Sequence, residues 1–363
     1  MGVYIVQIIK NSSENINSTG KNLLLRFKFK NHIITILLIL SFIIFITSFT
    51  LGRYSIPLDE LSNVFLSKLL GLQKSWPDTV ETVVFNVRLP RVFAAMIIGS
   101  ALSLSGATYQ GLFKNPMVSP DILGASAGAG FGAAIAILLS FNIIETQIFA
   151  FIFGMGAVML TYILSTIIGR NNNAILVLVL TGMVVSTLFS SFISMTKYVA
   201  DPNSKLPAIT FWLMGGLSSI NSKDVLILAI TVFLGAVPLY LIRWKLNVLS
   251  FGEEEAKALG IDTFKIRILV IFCSTLMTAA SVSLSGMIGW VGLIIPHFAR
   301  MLVGPNYKVL IPTSILLGST YLLMVDDIAR SLFSIEIPLG ILTSLIGAPF
   351  FIFMLLKGKK GWI

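Results

Sequence analysis

The chain has 363 residues, 56% of them hydrophobic and only 12% charged, with a net charge of +10. Soluble domains carry about 25% charged residues, so this composition excludes an ordinary globular protein and places most of the chain in lipid. One cysteine and two histidines exclude a disulfide framework and a Cys/His metal cluster, and the excess of Lys and Arg is expected at one membrane face rather than at nucleic acid.

Residues 1–31 carry Lys10, Lys21, Arg26, Lys28 and Lys30 around an Asn/Ser-rich stretch. With no basic region before a short apolar run and no small-residue cleavage site, they read as a cytoplasmic tail rather than a signal peptide. Residues 32–363 form one polytopic domain. Apolar runs long enough to cross a hydrocarbon core of about 30 Å give ten spans, near 32–51, 90–110, 119–140, 147–168, 174–196, 223–242, 267–286, 288–303, 309–330 and 338–356. These runs are continuously apolar and not alternating, so the fold class is an all-α integral membrane bundle and not a barrel. Placing the N-terminus inside puts 17 of the 26 Lys and Arg residues on the inner side and 9 outside, which sets both termini inside a cell membrane.

The opening of the second span is dense in signals: Arg88-Leu-Pro-Arg91, then Ser103-Leu-Ser-Gly106, then Gln110 to Pro116, then Leu123 to Gly128. Within it Ala95, Gly99, Ser103, Ala107 and Gly111 recur every four residues on one helix face, and Gly124, Gly128 and Gly132 do so on the next span. In lipid there is no hydrophobic force between helices, so such small-residue ridges supply close packing; the same ridges also suit helices that rock along a pathway. The glycines follow no strand and are no dinucleotide fingerprint. Gly106-x4-Gly111 is no phosphate loop either, because Leu112 and Phe113 stand where Lys and Ser/Thr belong. An offset of 180 residues relates Ser103–Gly106 to Ser283–Gly286, Pro116 to Pro296 and Leu123-Gly124 to Val303-Gly304. That echo suggests an inverted repeat of spans 2–5 and 7–10.

Between the sixth and seventh spans, about residues 243–267, lies the longest internal loop. Ser250 or Gly252 is placed to cap a short helix with Glu253, Glu254 and Glu255 in its first turn, favourable for the helix dipole, and Gly260 to end it. Leu249, Phe251, Ala256 and Leu259 offer an apolar face, suited to a partner's groove. In the ninth span Asp326 and Asp327 stand at helical spacing from Arg330, which reads as a structural ion pair or as a proton-coupling group. His297 reads as a hydrogen-bonded structural residue.

These motifs, together with Phe211–Leu217, Gly286–Arg300, Ile337–Ile341 and Ile346–Phe350, resemble the FecCD/BtuC-type permeases, the membrane subunits of ATP-driven importers for iron-siderophores, haem and cobalamin. The resemblance covers nearly everything after residue 32. It implies a permease that is not itself an enzyme, with no catalytic residue, no metal site and no cofactor bound by this chain, ATP-Mg being held by a partner ATPase. It further implies a second permease subunit (identical or paralogous), two ATPase subunits and an extracytoplasmic solute-binding protein, all in a lipid setting. Residues 249–260 would be the loop that couples to the ATPase. Arg88, Arg91 and Arg330 match arginines that pair with glutamates of the binding protein, an exposed fork suiting that task; interfacial snorkelling is the plainer reading of the same residues. Asn171, Asn172 and Asn173 fall where the family places part of a cytoplasmic gate. Iron-siderophore is the expected cargo, with haem and cobalamin behind it. A transporter of another class, driven by a proton or sodium gradient through Asp326 or Asp327, is the rival.

Overall fold

The computed structural model describes residues 33–54, 56–71, 76–169 and 174–358. The basic tail expected at 1–31 lies outside them. Every predicted span corresponds to a helix: α1 (Ile33–Thr50), α3 (Asp78–Leu112), α4 (Ala125–Leu138), α5 (Ile143–Ile168), α6 (Ala174–Val199), α8 (Ser222–Leu241), α11 (Thr263–Ser285), α12 (Val291–Val303), α13 (Tyr307–Ser331) and α14 (Leu339–Gly358). Four shorter helices lie between them: α2 (Leu58–Leu70), α7 (Lys205–Met214), α9 (Arg243–Leu249) and α10 (Glu253–Ala258). Among the described residues seven helices are long and apolar enough to cross a membrane.

Three boundaries differ from the sequence expectation, each for a backbone reason. The second span begins at Asp78 and not near 90. Pro90 has no N–H to donate and marks a helix start in sequence, but the chain widens into a π-turn over Val83–Arg88, with the Leu89 N–H donated to the Val84 carbonyl, and so carries the helix past the proline. The third span is broken: a 3₁₀ turn at Pro120–Leu123 meets α4 at Gly124, whose φ is 92°. The eighth begins only at Val291, after positive φ at Gly286 (68°) and Trp290 (70°). Helix α7 was not foreseen, because ten residues with a charged start fall below the length of a span.

The helices sort by how much of them is covered. In the most apolar stretches of α3 and α11, 78% and 72% of residues are buried, against 22% in α1 and α6. So α3 and α11 form the centre and pack on each other. The ridges explain how. Gly99 of α3 meets Gly318 of α13 so closely that an added Cβ would lie 2.1 Å from the Gly318 carbonyl oxygen. Ser103 packs against the same glycine, Gly106 against the backbone of Gly292 in α12, and Gly111 against the Tyr307 ring. Ala95 and Ala107 are buried in line with them. On α4, Gly128 and Gly132 meet the carbonyls of Phe153 and Phe149 in α5, and Gly124 rests against Val185 and Ser186 of α6.

A two-fold pattern connects the halves. Helix α3 packs on α12 and α13, while α11 packs on α4 and α5, so each half's opening helix lies on the second and third spans of the other. The repeat therefore shows in the packing. The residue echo does not follow it: Pro116 stands in a loop whereas Pro296 is inside α12, and Gly106 is mid-helix whereas Gly286 caps α11.

A methyl group cannot be added where backbone touches backbone. Gly106→Val, whose Cβ would sit 1.8 Å from the Gly292 carbonyl oxygen, is expected to cost about 3 kcal/mol through forced helix separation. Its thermal unfolding midpoint in detergent should fall well below that of the parent; an unchanged midpoint would contradict the packing described.

Candidate functional site

Two regions at opposite ends of α13 carry the polar chemistry. The first assembles where the N-terminal half of α3 meets the C-terminal half of α13. The π-turn sets Arg88 and Arg91 one turn apart on α3, and the helical spacing of α13 gathers Asp326, Asp327 and Arg330. The Nε and Nη2 atoms of Arg91 donate to Asp326 at 3.0 and 2.9 Å, and its Nη1 donates to both Glu336 oxygens at 3.0 Å. Arg330 donates to Asp327 at 2.5 Å, to Ser48 Oγ at 2.7 Å and to the Leu51 carbonyl at 2.9 Å. Asp327 also accepts the Ser48 hydroxyl at 2.6 Å. Arg88 donates to the carbonyls of Phe49 and Tyr54. Three guanidiniums face three carboxylates, so the group is neutral as a whole.

Arg88, Arg91 and Arg330 are therefore not the exposed forks expected from sequence. They are 4%, 6% and 5% exposed and Asp326 is fully buried. The physical reason is that a desolvated charge must be paired and hydrogen-bonded to be tolerated, and this fold supplies partners from α1, α13 and the loop before α14. The arginines act as internal ties that order the loop after α1 and fix the position of Glu336. Asp326 and Asp327 hold the ion-pair role. Glu336, whose side chain is 34% exposed, and Ser48 were missed; a lone acid between apolar runs in Ile335-Glu-Ile337 was the available signal for the first. Beside Arg91 and Glu336 opens a cavity of about 250 Å³, bordered by Trp212, Gly215, Ser218 and Ser285.

The second region is the 243–262 segment. Leu246 and Leu249 of α9, and Ala256 of α10, are buried within this chain. Phe251 and Leu259 are 78% and 70% exposed, so the apolar face read from sequence divides: Leu249 and Ala256 point inward, Phe251 and Leu259 outward. Gly252 precedes α10 with no side-chain cap, and Glu253, Glu254 and Glu255 fill the first turn. Ser250 does not cap; its hydroxyl donates to the Asn247 carbonyl at 2.6 Å. Gly260 turns the chain with φ 75°, and Glu253 pairs with Arg267 of α11. Asp262 caps α11 by accepting the Lys265 N–H at 3.0 Å, and that hydrogen bond holds its carboxyl below the usual carboxylate range. His297 is half-buried near Arg300. Asn171, Asn172 and Asn173 lie outside the described residues.

The charge network makes a defined demand on stability. Arg91→Leu would leave Asp326 buried without its main partner and is expected to cost about 3–5 kcal/mol. Arg91→Leu combined with Asp326→Leu should recover much of that loss, since an apolar pair of similar volume replaces the ions. Unfolding midpoints of the two variants check this, and a double variant as unstable as the single one would refute the pairing.

The sequence profile described as the FecCD transport family matches residues 37–357. The chain is 42% identical over 328 residues to the molybdate import system permease protein MolB of Haemophilus influenzae, covering 90% of this chain and 95% of that one. It is 39% identical over 285 residues to the cobalamin import system permease protein BtuC of Halobacterium salinarum, covering 78% and 76%. Among solved structures, a metal-chelate type ABC transporter in an inward-facing conformation superposes with a TM-score of 0.80 at 40% identity, covering 90% of this chain and 99% of that one. With a family match running from α1 to α14 and a fold shared with a solved transporter, this chain belongs to the FecCD transport family and is a membrane permease of the ABC importer type.

Proposed function

We propose that this permease imports a metal-bearing cargo, driven by ATP hydrolysis on a separate subunit that grips residues 249–260 from the cytoplasmic side. The observation that carries this reading is the exposure of Phe251 and Leu259 on a segment anchored to the bundle by the buried Leu246, Leu249 and Ala256. An acid-tipped turn anchored on one side and apolar on the other suits a partner's cleft better than an anionic lipid surface. Two permease subunits, identical or paralogous, would enclose the pathway, with two ATPases below and a solute-binding protein above. Both termini would then lie in the cytoplasm.

At the other end the arginines serve docking indirectly. Arg88 and Arg330 hold the carbonyls of Phe49, Leu51 and Tyr54, and Arg91 holds Glu336, so residues 51–54 and 332–338 present a set surface to the binding protein. The similar proteins name molybdate, cobalamin and a metal chelate as their cargoes. Their shared feature is a metal carried within a larger anion or chelate, and an iron-siderophore complex is the cargo we assign. A gradient-driven carrier using Asp326 or Asp327 is disfavoured, because both carboxylates are already engaged by arginines.

A photo-crosslinker at Ala258, an exposed position on α10, should capture the ATPase subunit in membranes of cells expressing the whole system. Vesicles holding the full complex should accumulate radiolabelled ferric siderophore only with internal ATP. Uptake that persists without the ATPase and follows an ion gradient would overturn the proposal.

A further inference from the structure

We infer that Asn247 is the pin that delivers movement of the 243–260 segment into α13, a positioning residue on which coupling depends. This rests on the reading of residues 249–260, which follow Asn247 in the chain, as the ATPase contact. The Asn247 side chain uses both of its functional atoms on α13. Its Nδ2 donates to Asn306 Oδ1 at 3.0 Å, and its Oδ1 accepts the Tyr307 N–H at 2.8 Å. Asn306 is the N-cap of α13, and its Oδ1 also accepts the Lys308 N–H at 3.0 Å. Asn247 thus satisfies one of the unpaired donors at the start of that helix and braces the side chain that satisfies another.

The surroundings make the pin mechanically useful. Leu246 and Leu249, on either side of Asn247 in α9, are buried, and α9 packs on both α13 and α3. Tyr307, the first residue of α13, lies against Gly111 near the end of α3. From there α13 runs for 25 residues, with Pro312 inside it, about 37 Å at 1.5 Å per residue. Along the way it meets α3 at the Gly99–Gly318 contact and ends in the Asp326, Asp327 and Arg330 network. A displacement of α9 is therefore handed to one continuous helix that reaches the docking end. A second tie leaves the segment from α10, where Glu253 pairs with Arg267 of α11, but it leads into a different helix.

The chemistry also explains the residue type. The site needs one donor and one acceptor on a short planar fork, which Asn has. Asp keeps the acceptor and loses the donor; Ala loses both.

The test uses the complete transporter in vesicles, with its ATPase and binding protein, and reads the fold-stimulation of ATP hydrolysis by added binding protein. A pin that links the two ends is crossed by a signal sent inward from the docked binding protein as well as by one sent outward from the ATPase. Asn247→Ala should lower the stimulation about five-fold, the size expected when two neutral hydrogen bonds, one of them exposed, each contribute at the low end of their range, with the ATPase still co-purifying and the unbound rate of hydrolysis unchanged. Asn247→Cys with Asn306→Cys, joined by a short bis-thiosulfonate bridge in a Cys273→Ser background, should restore stimulation, and reduction should abolish it again. A merely structural role would move the unfolding midpoint but would not respond to the bridge. If Asn247→Ala does not assemble, Asn247→Asp is read in the same way. Stimulation equal to wild type in either variant, or no recovery on bridging, overturns the inference while leaving the ATPase contact standing. A wild-type complex from which the ATPase is absent, or whose hydrolysis ignores the binding protein, overturns the underlying reading as well.

Discussion

Helices in lipid cannot be driven together by the hydrophobic effect, because lipid tails are as apolar as leucine; what holds them is contact close enough for dispersion and weak backbone interactions to add up. In this chain that constraint is met on α3. Gly99 against Gly318 and Gly106 against Gly292 bring three helix backbones into touch, and α11 completes the centre. Because these contacts are made by absent side chains, they fix the relative height of α3, α12 and α13 to within a fraction of a helical turn. The charge network and the braced 243–260 turn both inherit their geometry from that register.

The buried ions show what such a register permits. Three arginines and three carboxylates would each be costly to desolvate alone. Together they are tolerable only because α3 and α13 are placed so that Arg91 spans from Asp326 to Glu336, and α1 brings Ser48 and its neighbouring carbonyls to Arg88 and Arg330. Pro90 belongs to the same account. By forcing a π-turn just before itself, it sets the rotation at which Arg88 and Arg91 leave the helix. The network is thus a lock on helix positions at the C-terminal end of α13. At the other end of α13, a half-buried Asn247 and an exposed Phe251 lie four residues apart, one turned toward the helix bundle and one away from it.

The helical class, the ten apolar segments and the small-residue ridges were all legible along the chain, since each is a property of local composition or of a four-residue period. So were the acidic first turn of α10 and the pairing of Arg330 with Asp327, both of which depend on neighbours in sequence. The burial of Arg88 and Arg91 was not legible. An arginine at a span end looks the same whether it snorkels, docks or folds inward, and the partners that decided it stand more than two hundred residues away in the case of Arg91. The broken third and eighth spans were hidden for a related reason: hydropathy ignores the positive φ at Gly124, Gly286 and Trp290.

Sequence by itself determined that this is a helical membrane protein, because lipid punishes unpaired backbone and leaves a continuous apolar signature wherever a helix crosses; its motifs carried the resemblance to the permeases. Tertiary structure alone decided which charges are consumed inside, which apolar side chains of the 243–260 segment stay outside, and that Asn247 reaches the cap of α13. Those outcomes depend on which surfaces meet after the helices pack, and residues far apart in the chain carry no local record of their meeting.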